Sequence, residues 1–396
     1  MFRKARAVIG AGYGDEGKGL MTDFHGSNGA DAVVRTNGGA QAGHTVETPD
    51  GRRHVFHHVG SAAFLNIPTH LSKDFILNPV FLRTEFDDLA ALGVLPLLSS
   101  DPRSLVTTPY DMIINQIAEI ARGSARHGSC GLGIGETVER NMRPDLRLVF
   151  DDLFNGDSKL VTTLQAIRDQ WVLPRLAKLG VAEVPEQFRA VLSGDGLIDR
   201  FLADCREFQE VVKRLDDSAV QGELIFEGAQ GLLLDQDYGS FPHVTRSNTG
   251  LKNMVGFCME AGISHIDATY ATRCYTTRHG AGPLAHAAAS TEGWLKMIDP
   301  TNAPNPWQGA IRSAPLDTTV LADAIQFDLG YANGKVACQP QLSVSCLDQI
   351  TDGFRLFDGA EEMVVPPADA SVMISRLVNL PVAYQAFGPT RSTIIS

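Results

Sequence analysis

The 396-residue chain has no apolar run of membrane-spanning length, and its first residues lack the apolar stretch of a secretion signal. It has no excess of basic residues. With 34 Lys and Arg against 46 Asp and Glu, the net charge is −12. That is the wrong sign for a general nucleic-acid binder, whose phosphate contacts need a basic face. No CxxC pair occurs. The six cysteines, Cys130, Cys205, Cys258, Cys274, Cys338 and Cys346, are scattered. This argues against a disulfide frame or a zinc site and suits thiols kept reduced in the cytoplasm. Internal repeats and low-complexity segments are missing as well. What is present is 44% hydrophobic residues, enough for a core. These features predict a folded, cytoplasmic protein that binds neither membranes nor nucleic acid.

The chemistry is concentrated in ARAVIGAGYGDEGKGL, residues 5–20. Ala7-Val8-Ile9 predicts a buried strand feeding a turn of five glycines: Gly10, Gly12, Gly14, Gly17 and Gly19. Glycines let backbone N–H groups crowd around an anion. Two motifs overlap: Gly12-x-Gly14-x-x-Gly17 fits a dinucleotide loop, and Gly12-x4-Gly17-Lys18 fits most of a phosphate loop. Lys18 favours the second. Gly19 stands where a Ser or Thr would hold Mg²⁺, which leaves Asp15 as the nearest oxygen donor. An acid in a phosphate cradle needs a reason, because like charges in contact repel by on the order of 4 kcal/mol at an effective dielectric of 20. Asp15 is tolerable there if it binds Mg²⁺ or takes a proton from the substrate. The plain alternative is a glycine turn with a solvated tip.

Gly14-Asp15-Glu16-Gly17-Lys18-Gly19 resembles the signature of the adenylosuccinate synthetase family, and further blocks in the same order extend the resemblance over most of the chain. It implies nucleotide contacts at Gly14, Glu16, Gly17 and Gly19, with Asp15, Lys18, His44 and Gln230 as the catalytic set. The second glycine loop, Thr36 to Thr45, ends in Ala42-Gly43-His44-Thr45. By resemblance His44 bonds the transferring phosphoryl group, the Gly43 carbonyl joins Asp15 on Mg²⁺, and Gln41 faces the substrate. His127 to Thr137 resembles a loop over the nucleotide 5′-phosphate, with Ser129 and Cys130 in place of two threonines and Glu136 in place of a proline. An arginine following it, Arg140 or Arg143, would reach the neighbouring subunit of a homodimer; Arg143 is the assigned position. Phe226-Glu227-Gly228-Ala229-Gln230-Gly231 continues to Thr245. There Gln230 is implied to meet the purine 6-oxo edge and Thr245 the 5′-phosphate.

Three later blocks depart from the pattern. Thr272-Arg273 and Gly280-Ala281-Gly282-Pro283 fit with three additional residues between them, leaving Arg273 or Arg278 as the matching arginine. Asn302 to Thr318 holds one arginine where the family has several, so Arg312 is the expected L-aspartate clamp. In Leu342 to Ile350, Asp348 keeps the guanine-reading acid while Cys346 replaces a lysine, which leaves GTP or ATP as donor. Gly388-Pro389 resembles the segment that closes the same pocket.

The resemblance implies an α/β fold with a large, mostly parallel central sheet flanked by helices, like P-loop NTPases. It implies one domain over 1–396, with helical insertions around 83–122 and 159–215. Local pattern adds strands at Asp31–Arg35, Arg53–Ser61, Phe75–Val80 and Leu224–Phe226. It adds helices at Arg83–Leu92, Tyr110–Arg122, Lys159–Leu179 and Leu197–Leu215. The implied activity is a Mg-nucleotide-dependent C–N ligase joining L-aspartate to C6 of IMP. The alternative substrate is dGMP with ATP as donor, as in phage-encoded relatives. A dehydrogenase would need hydride-transfer machinery that the sequence does not display. A binding module without catalysis would have no use for Asp15 and His44.

Overall fold

The computed structural model describes residues 3–123, 126, 128–299 and 310–396. His127 and the first part of the expected aspartate loop, 302–309, lie outside the described residues. The strands in chain order are β1 (Arg3–Gly10), β2 (Ala32–Arg35), β3 (His44–Glu47), β4 (Arg53–Phe56), β5 (Thr69–Leu71), β6 (Leu98–Ser100), β7 (Val212–Arg214) and β8 (Leu224–Gly231). They continue with β9 (Ile263–Arg273), β10 (Tyr275–Arg278), β11 (Arg312–Asp317), β12 (Ala337–Ser345), β13 (Phe354–Asp358), β14 (Glu361–Val365), β15 (Val382–Ala386) and β16 (Ile394–Ile395).

Ten strands form one sheet in the order β16-β15-β12-β9-β1-β8-β2-β5-β6-β7. All neighbours are parallel except the edge pair β15 and β16. The expected mostly parallel α/β sheet is therefore present. Its central strands are apolar on both faces, as a covered parallel sheet requires. Ala5, Ala7 and Ile9 of β1 join Leu224 and Phe226 of β8 in the core under helices Leu251–Ala261, Thr318–Leu329 and Ala370–Val378. Val8 and Ile225 point the other way, onto Met21 of helix α1 (Lys18–Ser27). Four more strands form a second sheet, β10-β11-β13-β14, and β3 pairs antiparallel with β4.

A second core spans side chains from Val46 to Val212 and holds the helical segments together. Helix Pro109–Arg122 begins at a capping box in which Thr108 and Asp111 satisfy each other's backbone N–H groups, with Pro109 in the first turn. It buries Ile113, Ile114 and Ile117. Helix Asp157–Ile167 continues through one wide turn, Arg168–Val172, into Leu173–Lys178.

Four local expectations need correction. Phe75–Val80 is not a strand: Ile76 and Leu77 make single bridges to Gly39 and Val106, and Pro79 opens helix Pro79–Ala91. The expected helix Leu197–Leu215 stops at Val211, because Val212–Arg214 pairs parallel with β6 as the sheet's edge strand. Its Val212 is buried while Lys213 and Arg214 face solvent. The strand expected over Arg53–Ser61 ends at Phe56, freeing Ser61 for a buried turn. The glycine loop at 128–137 ends at Gly133, and Ile134–Asn141 is a helix despite Gly135.

Candidate active site

The carboxyl ends of β1, β2 and β8 lead into one cleft of about 600 Å³, where open α/β sheets place their ligands. Gly14, Asp15, Gln41, Gly43, His44, Gln230 and Thr245 all line it. So do Ser129 and Cys130, from the loop before helix Ile134–Asn141. These nine expected residues come together from five separate stretches of chain.

The phosphate loop closes on itself. Lys18, the first residue of α1 and 2% exposed, turns back so that Nζ donates to the Gly14 carbonyl at 2.6 Å and pairs with Glu16 Oε2 at 3.3 Å. Glu16 Oε1 accepts from the Gly14 N–H at 2.7 Å. The Glu16 carboxylate therefore faces the interior of the loop rather than the cleft. Gly19 is required by close approach: a Cβ there would sit 2.8 Å from the Thr45 carbonyl, against the strand that carries His44. Arg273 Nε donates to the Asp15 carbonyl, and the guanidinium reaches Asp299 Oδ2 at 2.7 Å.

His44 is buried, and its Nδ1 lies 2.6 Å from Glu227 Oε1. Glu227 is fully buried on β8, takes both the N–H and the hydroxyl of Ser61, and has Arg35 Nη1 at 3.9 Å. Burial alone would raise its pKa, but Arg35, His44 and Ser61 hold it down to about 2. Burial, reinforced by Arg35 and Lys18, pushes the His44 pKa down to about 4 against the pull of Glu227. The ionised carboxylate can only accept, so a neutral His44 carries its proton on Nδ1. Its Nε2 is buried and has no hydrogen-bond partner among the described residues, while the residue lines the cleft. That atom can take a proton and then donate to an anion.

Gln230 holds a left-handed backbone, φ 62°, at the end of β8, and its backbone abuts Gly14. A side-chain-bearing residue in that conformation is uncommon and signals an imposed position. Asn37 fixes the strand end by a two-way bond with the Ala229 peptide, 2.8 Å each way. Both amide atoms of Gln41 are buried without partners among the described residues, although the residue lines the cleft. Ser129 exchanges bonds with Asn115 at 3.0 and 3.3 Å, and burial pushes the Cys130 thiol pKa up.

Other expected positions lie elsewhere. Asp348 is exposed just past β12, and Gly388 and Pro389 follow β15; both segments sit at the same carboxyl edge of the sheet as the phosphate loop. Ser345 ties this edge to the loop by donating to the Glu16 carbonyl at 3.2 Å. Arg143 is a surface residue bound to Asp145. Arg140 is fully buried, paired with Asp111 at 2.9 Å and bound to the Leu146 and Val106 carbonyls, so it is structural. Arg312 on β11 gives one amino group to the carbonyls of Gly280 and Gly282. Those bonds hold the loop that follows β10, and Arg312 does not line the cleft.

Sequence reasoning missed Glu227, Ser61 and Arg35 as the support of His44. It also placed an insertion where none is needed. Thr277-Arg278-His279-Gly280-Ala281-Gly282-Pro283 carries the frame directly, and Arg278 and His279 line the cleft while Arg273 does not. Arg278 stacks on Tyr13 at 4.3 Å and donates to the Pro283 and His243 carbonyls.

A parallel α/β sheet with a lysine-bearing glycine loop at its carboxyl edge, facing an acid, a carboxylate-backed histidine and a strained glutamine, defines a nucleotide-binding protein of the phosphate-loop type. The chain belongs to the adenylosuccinate synthetase family, whose model matches residues 7–297. It is 36% identical over 296 residues to an adenylosuccinate synthetase of Thioalkalivibrio sulfidiphilus; the match covers 71% of this chain and 64% of that one. The fold is shared with the fully ligated adenylosuccinate synthetase of Plasmodium falciparum, at a TM-score of 0.72 and 17% identity, covering 100% of this chain and 99% of that one. It is also shared with the cyanophage S-2L succinoaminodeoxyadenylate synthetase bound to dGMP and dATP, at 0.62 and 16%, covering 100% and 95%. Among the described residues no helix is long and apolar enough to cross a membrane.

Proposed function

We propose that this protein is a C–N ligase that joins L-aspartate to C6 of a 6-oxopurine nucleotide at the expense of a nucleoside triphosphate, with IMP as the default substrate. The observation that carries this reading is the convergence of Asp15, the His44–Glu227 pair and Gln230 on one cleft beside the Lys18 loop.

In this mechanism Asp15 takes the N1 proton. The oxygen on C6 attacks the γ-phosphorus and the nucleoside diphosphate leaves. The amine of L-aspartate then displaces phosphate from C6. The 6-oxo group is a poor leaving group until it is phosphorylated. Lys18 offsets the charge that develops during transfer, and His44, neutral at rest, joins it once the anion draws a proton onto Nε2. Gln230 orients the 6-oxo edge, and Thr245, Ser129 and Cys130 surround the 5′-phosphate. Gly14, Gly17 and Gly19 give the triphosphate its cradle, with Glu16 bracing it from within. Asp348, Gly388 and Pro389 close the donor base, and Arg312 meets the carboxylates of L-aspartate.

The residues present fit Mg²⁺. The Asp15 carboxylate and the Gly43 carbonyl both belong to residues lining the cleft and are hard oxygen donors of the kind Mg²⁺ takes, so they would hold the ion there. When bound, Mg²⁺ would neutralise phosphate charge there.

A second reading is favoured by the chain's departures from the family pattern. Cys346 stands in the position of a lysine, and Arg312 is the sole described arginine of its segment. These suit dGMP with ATP as donor, GTP remaining the donor for IMP. The exposed Arg143 supports a homodimer in which it reaches the partner's nucleotide, and six free cysteines suit a reducing cytoplasm. The chain is taken as one catalytic domain, its helical insertions scaffolding the 5′-phosphate loop.

The test is incubation with Mg²⁺, L-aspartate, ATP or GTP, and IMP or dGMP in all four combinations, with succinylated products read by mass spectrometry. Product from IMP with GTP supports the default. Product mainly from dGMP with ATP supports the second reading. Absence of product in every mixture overturns both.

A further inference from the structure

We propose that Arg246 supplies the cation that holds the 5′-phosphate of the nucleotide substrate. This rests on the reading above, in which Thr245, Ser129 and Cys130 surround that phosphate.

Among the described residues four arginines line the cleft: Arg122, Arg175, Arg246 and Arg278. Three of them are committed to protein. Arg278 is buried and gives its amino groups to the Pro283 and His243 carbonyls. Arg175 is nearly buried and grips Glu136 with two nitrogens, at 2.6 and 3.0 Å. Arg122 is paired with the buried Glu119. Arg246 differs. Its side chain is 38% exposed, one amino nitrogen lies 2.8 Å from Glu139 Oε1, and its Nε has no partner among the described residues. A guanidinium carries five N–H donors in a fork, so one ion pair leaves most of that capacity for an anion.

The backbone under Arg246 is fixed. The Thr245 N–H donates to the Leu234 carbonyl at 2.8 Å, and the Ser247 carbonyl accepts from the Gln236 N–H at 3.2 Å. The stem lies along the first turn of helix Ile134–Asn141, where a Cβ on Gly135 would sit 3.6 Å from Arg246 Cγ. This places the guanidinium between Thr245 and the loop that carries Ser129 and Cys130. Those two residues make weak phosphate ligands, because the Ser129 hydroxyl is engaged with Asn115 and a thiol is a poor donor. A phosphate dianion enclosed there needs a cation. Glu139 can release one: Arg175 Nη1 also lies 3.5 Å from Glu139 Oε2, so the carboxylate keeps a partner when Arg246 turns to a ligand. Glu139 is a holding partner, and phosphate takes its place.

The experiment measures KM for IMP and for dGMP, which both carry the 5′-phosphate, using the full chain with Mg²⁺, L-aspartate and ATP or GTP at saturation. R246M keeps a stem along Gly135 and removes the charge. It should raise KM for the accepted nucleotide about 10- to 100-fold, with KM for the triphosphate and L-aspartate unchanged within about twofold. R246K should restore part of the loss. E139Q separates a phosphate contact from a structural ion pair. It breaks the same pair from the other side, yet it frees Arg246, so nucleotide KM should fall or stay as it is. Equal increases in R246M and E139Q would make the pair structural and overturn the inference. So would an unchanged nucleotide KM in R246M, or a rise confined to L-aspartate or the triphosphate; all three leave the ligase reading intact. No product from either nucleotide with the wild-type protein overturns the ligase reading itself. Calorimetric binding of IMP and dGMP then tests Arg246 alone: weaker binding by R246M supports the contact, and equal binding, or none by either protein, overturns it.

Discussion

His44 and Glu227 are separated by 183 positions in sequence, yet Nδ1 and Oε1 meet at 2.6 Å with both side chains almost wholly removed from solvent. The carboxylate fixes which nitrogen of the imidazole holds the proton and which faces the cleft. Such support is commonly worth ten- to a hundredfold in activity where it has been removed from other sites. E227Q should therefore lower kcat by about 10²-fold with little change in KM for the triphosphate. It also leaves Arg35 without its nearby carboxylate, so a loss of about 3–5 kcal/mol in urea unfolding is expected. Unchanged kcat in a stable E227Q protein would remove the support role.

Asp15 is the proposed base. D15N keeps the shape of the side chain and removes its basicity, so turnover should disappear while the melting temperature stays within a few degrees of wild type. Near-normal product formation by D15N would end the assignment.

Arg140 and Arg143 have opposite fates in the structure and should give opposite phenotypes. R140M leaves Asp111 buried without its partner and should cost about 3–5 kcal/mol. R143L touches only a surface pair with Asp145, so stability should hold while activity falls. Mixing R143L with inactive D15N protein after subunit exchange should raise activity above that of R143L alone, because one hybrid site is then complete. No recovery in verified hybrids would place Arg143 outside the partner's site.

Asp328 is 2% exposed and accepts from the Leu251 N–H at 2.8 Å and the Tyr270 hydroxyl at 2.9 Å. Burial raises its pKa from 3.8 to about 7. A carboxyl group that holds its proton more tightly when folded stabilises the fold below its unfolded pKa. That stability is lost as pH rises through the folded value. The melting temperature should thus fall between about pH 4 and pH 7 from this group. D328N, an uncharged mimic of the protonated acid, should flatten that slope. An equal slope in D328N would assign the pH dependence to other groups.

The phosphate loop and the strand–glutamine block were legible because their chemistry is local: glycines, a lysine and an acid within a few residues announce an anion site. The parallel sheet was legible from short apolar runs ending in glycine loops. What escaped was non-local. Glu227 sits in a sequence block whose glutamine draws notice, and nothing in the sequence says that its carboxylate reaches across to His44 and Ser61. Val212–Arg214 continues a helical apolar stripe, and only the neighbouring β6 makes it a strand. Phe75 to Leu77 is apolar enough for a strand, but Pro79 starts a helix too soon for one to form. Arg140 and Arg143 differ in role because of an ion pair with Asp111 that spacing does not reveal.

The inward-facing Glu16 has a consequence for how the loop meets its ligand. A Cβ at Gly12 would come within 2.7 Å of Glu16 Oε1, and one at Gly10 within 2.5 Å of Oε2, so two glycines make room for this carboxylate. Glu16 occupies the loop as a tethered stand-in anion, already engaging the Gly14 N–H and the Lys18 ammonium. The cradle is held in shape before any phosphate arrives. Under the proposed function a visiting anion must outcompete an internal rival for the same donors, a threshold that a multiply charged polyphosphate clears more easily than a lone orthophosphate.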